Sequence, residues 1–248
     1  MCAAAVAAIV LAGASAATPA EAAPTAQGGC PGNLLVNGDF DGGSHKTESE
    51  GTSLSSAVAD GWSPWFVRGG ESVNREPEFK VEQVAIGGDP ARVRSGGQSM
   101  KWFTTWATHD AGIYQRVAVR SGTRVTFTAY AMGYSGEGDI FDHERKTFVS
   151  DPQKPGNYAM SVGIEPTGAL PSGMGAPPPA SVVWGESTMV MDQWMPLSVS
   201  AVAQGSAVTV YMRGNPYWGV KHNDSFWEDA CLVVGGRAPV AAAPAEAP

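Results

Sequence analysis

Two segments of this chain place the same side-chain chemistry in the same order. Trp106 is followed by Thr108-His109-Asp110, and Tyr217-Trp218, after the Asn215-Pro216 turn, is followed by Lys221-His222-Asn223-Asp224. Indole and phenol rings stack on the apolar C–H faces of sugars, while neighbouring imidazole, carboxylate and ammonium groups engage the hydroxyls. Trp65, in Ser63-Pro64-Trp65, is a third loop-borne aromatic. If these loops meet at one end of a fold they make a single aromatic and polar rim. The expected ligand-binding residues are therefore Trp65, Trp106, His109, Asp110, Tyr217, Trp218, His222 and Asp224. Each of them taken alone also has a plainer use, the histidines as turn caps and the acids in Asx turns. Trp62 and Trp102 are expected in the core; Trp194 and Trp227 lie within strands and are left open between core and surface.

Catalysis would need more than this set. Asp110, Glu137, Asp224 and Glu228 could supply the two carboxylates of a glycoside hydrolase, but nothing in their local sequence marks an acid/base pair. Gly185-Glu186-Ser187 is not the Gly-x-Ser-x-Gly elbow of a serine hydrolase. His109-Asp110 and His222-x-Asp224 could offer zinc ligands from two loops, yet no His pair stands at i, i+4. The reading is a binding protein without catalysis, its partner a polysaccharide or a cell-surface glycan. A cell-surface adhesion protein and a glycoside hydrolase on the same scaffold are the alternatives.

The ends and the charge narrow the setting. The formal charge of −8 and the lack of clustered Lys and Arg exclude a phosphate-backbone partner, so no nucleic acid is expected. Cys2 to Ala17 is an alanine-rich apolar stretch ending in Ala14-Ser15-Ala16, the small-residue pattern of a signal-peptidase site, although a basic n-region is missing. It is too short for a membrane span, and none is expected in the mature chain. Residues 1–29 are thus read as signal peptide and short linker, 30–236 as one domain, and 237–248 as an Ala/Pro-rich tail or a junction to a further module. The expected location is secreted or cell surface. Once the leader is gone, Cys30 and Cys231 remain, and an exported protein can oxidise them; two unrelated thiols are the alternative.

The elements that would hold the rim are strands. Glycine (31) and proline (18) are plentiful, charged residues make up 16%, and no long helical periodicity is present, which points to an all-β chain. Met100 and Trp102 alternate against Lys101 and Phe103. Ile113, Gln115, Val117 and Val119 alternate against Tyr114, Arg116 and Ala118. Val125, Phe127, Ala129 and Ala131 oppose Thr126, Thr128, Tyr130 and Met132. The last two segments, joined by Ser121-Gly122, are expected to pair antiparallel. Further strands are read at 158–165, 181–185, 194–203, 207–213 and 225–234. At least eight strands are enough for a two-sheet antiparallel β-sandwich. Residues 133–156 and 166–180 read as long loops, which in a compact sandwich are functional or mobile.

Four pieces in order carry a resemblance. Asn33-Leu34-Leu35-Val36-Asn37-Gly38-Asp39-Phe40-Asp41 with Gly61-Trp62, Ser95-Gly96-Gly97-Gln98-Ser99-Met100-Lys101, Ile113-Tyr114-Gln115 with Val117, and Trp227-Glu228-Asp229-Ala230-Cys231-Leu232 resemble jelly-roll carbohydrate-binding modules of the galactose-binding-like superfamily. The resemblance implies a jelly roll whose first and last strands lie side by side, where a Cys30–Cys231 disulfide would fit. It also implies a structural calcium ion held by Asp41 and Asp229, with Asp39 and Gln98 offering carbonyls. Calcium takes six to eight hard oxygen ligands in loose geometry; the alternative is two solvated surface acids.

Overall fold

The computed structural model describes residues 29–47 and 56–235. The leader and the C-terminal tail read above lie outside the described residues. The strands are β1 (Ser44–Lys46), β2 (Ala57–Ala59), β3 (Ser63–Phe66), β4 (Glu78–Gln83), β5 (Gln98–Thr104), β6 (Ala111–Ala118) and β7 (Arg124–Gly136) in the first half. The second half holds β8 (Ile140–Asp142), β9 (Thr147–Val149), β10 (Tyr158–Glu165), β11 (Val183–Trp184), β12 (Met195–Val202), β13 (Ala207–Pro216) and β14 (His222–Val234). One five-stranded sheet runs β11-β10-β13-β6-β3 and the other β12-β7-β14-β5-β4; β1-β2 and β8-β9 are small hairpins. Every strand pairing is antiparallel. The expected two-sheet sandwich is present. Among the described residues, no helix is long and apolar enough to cross a membrane.

The period-two pattern decides which face of each strand is inside. Met100 and Trp102 of β5, Ile113 and Val117 of β6, Val125 and Phe127 of β7, and Val208, Val210 and Met212 of β13 all enter one core. Trp102 and Trp227 stack at its centre, 5.0 Å apart with their planes 12° from parallel. One topological expectation is wrong: β6 and β7 do not pair. β6 lies between β13 and β3, and β7 between β12 and β14, so the Ser121-Gly122 turn carries the chain from one sheet to the other. The physical reason is that both strands bury an apolar face in the shared core, and placing them in opposite sheets lets the other layer cover each face. Gly122, at φ +81°, supplies the left-handed residue of that crossing.

The ends are clasped. Residues 33–38 run beside β14, with Leu34 N donating to Leu232 O (2.9 Å) and Ala230 N to Gly38 O (2.8 Å). Asn33 spans the irregular part of β14: its amide nitrogen donates to Ala230 O (2.9 Å) and its carbonyl oxygen accepts from Leu232 N (2.9 Å). The register of β14 against β7 shifts between Glu228 and Cys231, where Asp229 adopts φ 50°; such a bulge strands backbone groups that the Asn33 amide satisfies. Gly38 must be glycine, since a Cβ there would lie 2.3 Å from Ala230 O. Trp62, buried, donates its indole N–H to Asn37 O at 3.0 Å. Cys30 and Cys231 are disulfide-bonded across this seam with Cα atoms 6.1 Å apart.

Replacing both cysteines, Cys30→Ser with Cys231→Ser, is expected to lower unfolding free energy by a few kcal/mol, with an upper figure of about 5 kcal/mol from the entropy of a loop this long. Urea denaturation measures it, and an unchanged midpoint would contradict the clasp.

Candidate functional site

The outward face of the second sheet carries what the core does not use. Lys101 and Phe103 of β5, Asp224 and Phe226 of β14, Tyr134 of β7 and Glu82 of β4 line a groove of about 440 Å³. Asp89 and Arg92, from the short 3-10 turns between β4 and β5, form one border; Asp139 and Phe148 of the β8–β9 hairpin form another. That hairpin lies in the stretch 133–156 expected to be loop; its first residues instead extend β7 to Gly136. Phe141 and Phe148 pack edge to face at 5.3 Å and hold the two short strands together.

Charge in the groove is paired throughout. Lys101 Nζ lies 2.8 Å from an Asp224 carboxylate oxygen, over the Phe103 ring at 4.4 Å and the Phe226 ring at 5.0 Å. Arg92 is 5% exposed and covers Tyr134 at 4.4 Å and Phe226 at 5.1 Å. Its guanidinium donates to the Phe148 carbonyl and lies near Asp89 (3.8 Å) and Asp192 (3.7 Å), so it pins the hairpin to the sheet. Asp139 accepts from Lys221 and pairs with His222 Nε2 at 2.7 Å. Hydrogen bonds from Lys221 and then His222 hold the Asp139 carboxyl below its ordinary pKa. Burial pushes the Tyr134 hydroxyl up to about 12, and its ring lies against His222 at 4.8 Å.

Beside the groove stands the aromatic rim. Trp106, Tyr217 and Trp218 are 54%, 54% and 55% exposed. Their loops are tied together: Trp106 N donates to Val220 O at 2.8 Å, and the buried Asn223 amide donates to Ala107 O (3.0 Å) and Trp218 O (2.8 Å). Tyr217 and Trp218 meet edge on at 6.2 Å. Thr105 and His222, which flank these loops in sequence, line the groove, so rim and groove adjoin.

Three expected rim residues lie elsewhere. Trp65 sits in β3, 2% exposed, packed edge on against Tyr211 at 6.3 Å with its N–H on Met212 O; Pro64, which reads as a turn, is tolerated because β3 is a sheet edge. His109 is fully buried, bonded to Thr104 at 2.9 Å and to the Tyr158 hydroxyl at 2.7 Å. Tyr158 passes the chain on to Ser225, which also accepts from Trp227. Asp110 forms a bidentate pair with Arg213 at 2.6 and 2.7 Å on the other sheet. Asp224 and His222 line the groove rather than the loop rim. Lys101, Phe103, Tyr134, Asp139 and Phe148 were not singled out; the alternation of Lys101 and Phe103 against Met100 and Trp102 was the signal that could have found the first two.

The residues expected around calcium gather on one turn. Asp41 accepts from Gly97 N at 3.1 Å; Asp229 accepts from Ser95 Oγ at 2.9 Å and pairs with Arg94. The Asp39 side chain accepts from Asp41 N, and the Gln98 amide donates to Phe40 O while its oxygen accepts from Gln83. These are hard oxygen donors suited to calcium, but Arg94 already neutralises Asp229. Among the described residues, no group of three or more His, Cys, Asp or Glu side chains is arranged as a metal cluster. Glu228, beside Asp229 and fully buried, accepts from Arg94 N (2.7 Å) and Ser95 N (2.8 Å); burial pushes its carboxyl up to about 8 against the pull of those donors.

Neither a protein-family model nor a curated protein matches this chain. Among solved structures it is similar to TmCBM61 in complex with β-1,4-galactotriose (11% identity, TM-score 0.45, covering 82% of this chain and 98% of that one). It is similar too to the CBM22-1 xylan-binding domain of Paenibacillus barcinonensis Xyn10C (17% identity, TM-score 0.38, 79% and 94%). A cyclase from Fischerella sp. TAU in complex with 4-(1H-indol-3-yl)butan-2-one is similar at 10% identity, TM-score 0.46, covering 81% and 95%.

Two buried groups contribute opposing pH dependences to stability. Burial lowers His109 from 6.5 to about 3, so between those values the unfolded chain takes up a proton that the folded one refuses, and stability is lost as pH falls. Burial raises Glu228 from 4.5 to about 8, so the folded chain keeps a proton that the unfolded one releases, and stability is lost as pH rises through that window. The two slopes, each at most about 1.4 kcal/mol per pH unit, oppose one another. The expected contribution rises from pH 3 to 4.5, is level to 6.5 and falls to 8. Urea midpoints across pH check it, and His109→Gln should remove the acid limb; an acid limb unchanged in that variant would contradict the assignment.

Proposed function

We propose that the chain is an exported, non-catalytic carbohydrate-binding module whose ligand lies in the groove of the second sheet and extends over Trp106, Tyr217 and Trp218. The observation that carries this reading is three aromatic side chains, each more than half exposed, on two loops fastened to one another beside a groove of paired charges. Large exposed aromatics on rigid loops need a partner, and a sugar ring matches both the flat apolar surface and the polar groups next to it.

The absence of catalysis rests on the carboxylates. A glycosidic acid and base must be free to exchange protons, and the groove acids are engaged: Asp224 by Lys101, Asp139 by Lys221 and His222, Asp89 by Arg92 and Glu82 by Lys80. The carboxyl with a raised pKa, Glu228, is fully buried beneath Arg94 and Ser95. Export is supported by the Cys30–Cys231 disulfide, which belongs to an oxidising compartment. Calcium is a second part of this reading: Asp41 and Asp229 would hold it on the Ser95–Gln98 turn, with carbonyls of Asp39 and Gln98. It would supply the positive charge that Arg94 now provides and tie the N-terminal segment to β14.

Glycan-array binding with Trp106→Ala and Trp218→Ala tests the ligand. Each change is expected to weaken binding by about tenfold or more, roughly 1.4 kcal/mol, without moving the melting temperature. A wild-type protein that binds no glycan, or turnover of a chromogenic glycoside that Asp224→Asn abolishes, would overturn the reading. For the ion, melting temperature is expected to fall on adding a chelator, since an ion bound only to the folded state stabilises it; no shift would remove calcium.

A further inference from the structure

We infer that the Lys101–Asp224 ion pair, and not an aromatic face, reads the ligand inside the groove, and that it selects uncharged glycans; this rests on the carbohydrate-binding reading above. Phe226 lies between two cations, Lys101 at 5.0 Å and Arg92 at 5.1 Å. Tyr134 is covered by Arg92 at 4.4 Å and by His222 at 4.8 Å, and Phe103 by Lys101 at 4.4 Å. A cation over a ring takes the negative π face that a sugar C–H would otherwise meet. Phe226 and Tyr134 are moreover buried, and Phe103 offers at most its second face, so the open rings are Phe148 in the groove, 45% exposed, and those of the rim.

What the groove offers instead is a nearly dry ion pair. The Lys101 and Asp224 side chains are 14% and 9% exposed, yet both line the groove. A sugar hydroxyl donates and accepts at once, so it bridges ammonium and carboxylate without separating them. A charged substituent cannot. A carboxylate or sulfate would compete with Asp224 for Lys101 and leave a poorly hydrated acid alone; an amino sugar would do the same to Lys101. Breaking one side of a desolvated pair is more unfavourable than losing one hydroxyl contact, and this is discrimination by repulsion as much as by fit. The remaining groove acids do not soften it, because Asp139, Asp89 and Glu82 have their own cations. The rim then supplies affinity for sugar faces in general, and the pair supplies choice.

The test is affinity electrophoresis at raised salt of the wild type, Asp224→Asn, Lys101→Gln and the double variant. The probes are arabinogalactan and xylan as neutral polymers, polygalacturonate as an acidic one and chitosan as a basic one. Glu186→Gln, exposed and outside the groove lining, controls for net charge. Wild type is expected to bind a neutral polymer. Asp224→Asn should gain about tenfold towards polygalacturonate and Lys101→Gln about tenfold towards chitosan, a change of roughly 1.4 kcal/mol each. The double variant leaves no unpaired charge and keeps the test informative if a single variant fails to fold; it should lose the preference for neutral over charged polymers. Unchanged preference in the variants, or the same gain in Glu186→Gln, overturns this inference while leaving the rim intact. A wild type that binds none of the four, or binding that Trp106→Ala and Trp218→Ala do not weaken, brings down the carbohydrate reading itself and this inference with it.

Discussion

The alternation of β14 is the constraint on which the rest depends. Ser225 and Trp227 point into the sandwich, where Trp227 stacks on Trp102 and Ser225 receives Tyr158 and the Trp227 indole. Asp224, Phe226 and Glu228 point the other way and build the floor on which Lys101, Arg92 and the Arg94–Ser95 turn rest. A slip of one residue would exchange these sets, sending two carboxylates into the core and an indole into water. The bulge at Asp229, with Asn33 and the disulfide across it, ends that regular stretch and anchors the N-terminal segment at the place where the pairing is interrupted. One strand thus positions both the packing that holds the fold and the polar surface that faces a ligand.

The groove also needs its borders, and Arg92 supplies the connection. Its guanidinium touches the floor through Tyr134 and Phe226, the hairpin through the Phe148 carbonyl, and Asp192 on the chain entering β12. Burying an arginine this deeply is tolerated because each side of it meets a carboxylate, a carbonyl or a ring. Asp139 fastens the other end of the hairpin to the start of β14. The stretch between β7 and β10 is therefore a pinned wall, and its charged composition reflects the ion pairs that pin it.

Much of the scaffold was legible in the chain. Strand parity in β5, β6 and β7 follows directly from which residues are apolar, and β10 falls at 158–165 as read. The partner of a strand is not encoded locally: adjacency in sequence points β6 to β7, whereas β6 pairs with β13 and β3. The short strands β1 to β3 and the β8–β9 hairpin are too brief for a periodic signal. The site was legible where exposure follows from loop position, as for Trp106, Tyr217 and Trp218. It was not legible for Trp65, His109 and Asp110, because their partners, Met212, Tyr158 and Arg213, lie 49 to 147 residues away. A residue next to a turn looks exposed until a distant strand covers it. The groove is hidden in the sequence for the same reason: Lys101 and Asp224 become a pair through the register of β5 with β14.

A glycan bound as proposed contacts the outward face of β5, β7 and β14 together with the adjoining rim. Backbone and indole NMR shifts of the protein titrated with a soluble neutral oligosaccharide measure that contact directly. Perturbations are expected at residues 101–106, 134–148 and 217–226, including the Trp106 and Trp218 indoles, with the buried Trp62 and Trp65 indoles unmoved. Perturbations centred on Tyr114, Trp184 and Arg213 of the opposite sheet, or none at saturating sugar, would contradict it.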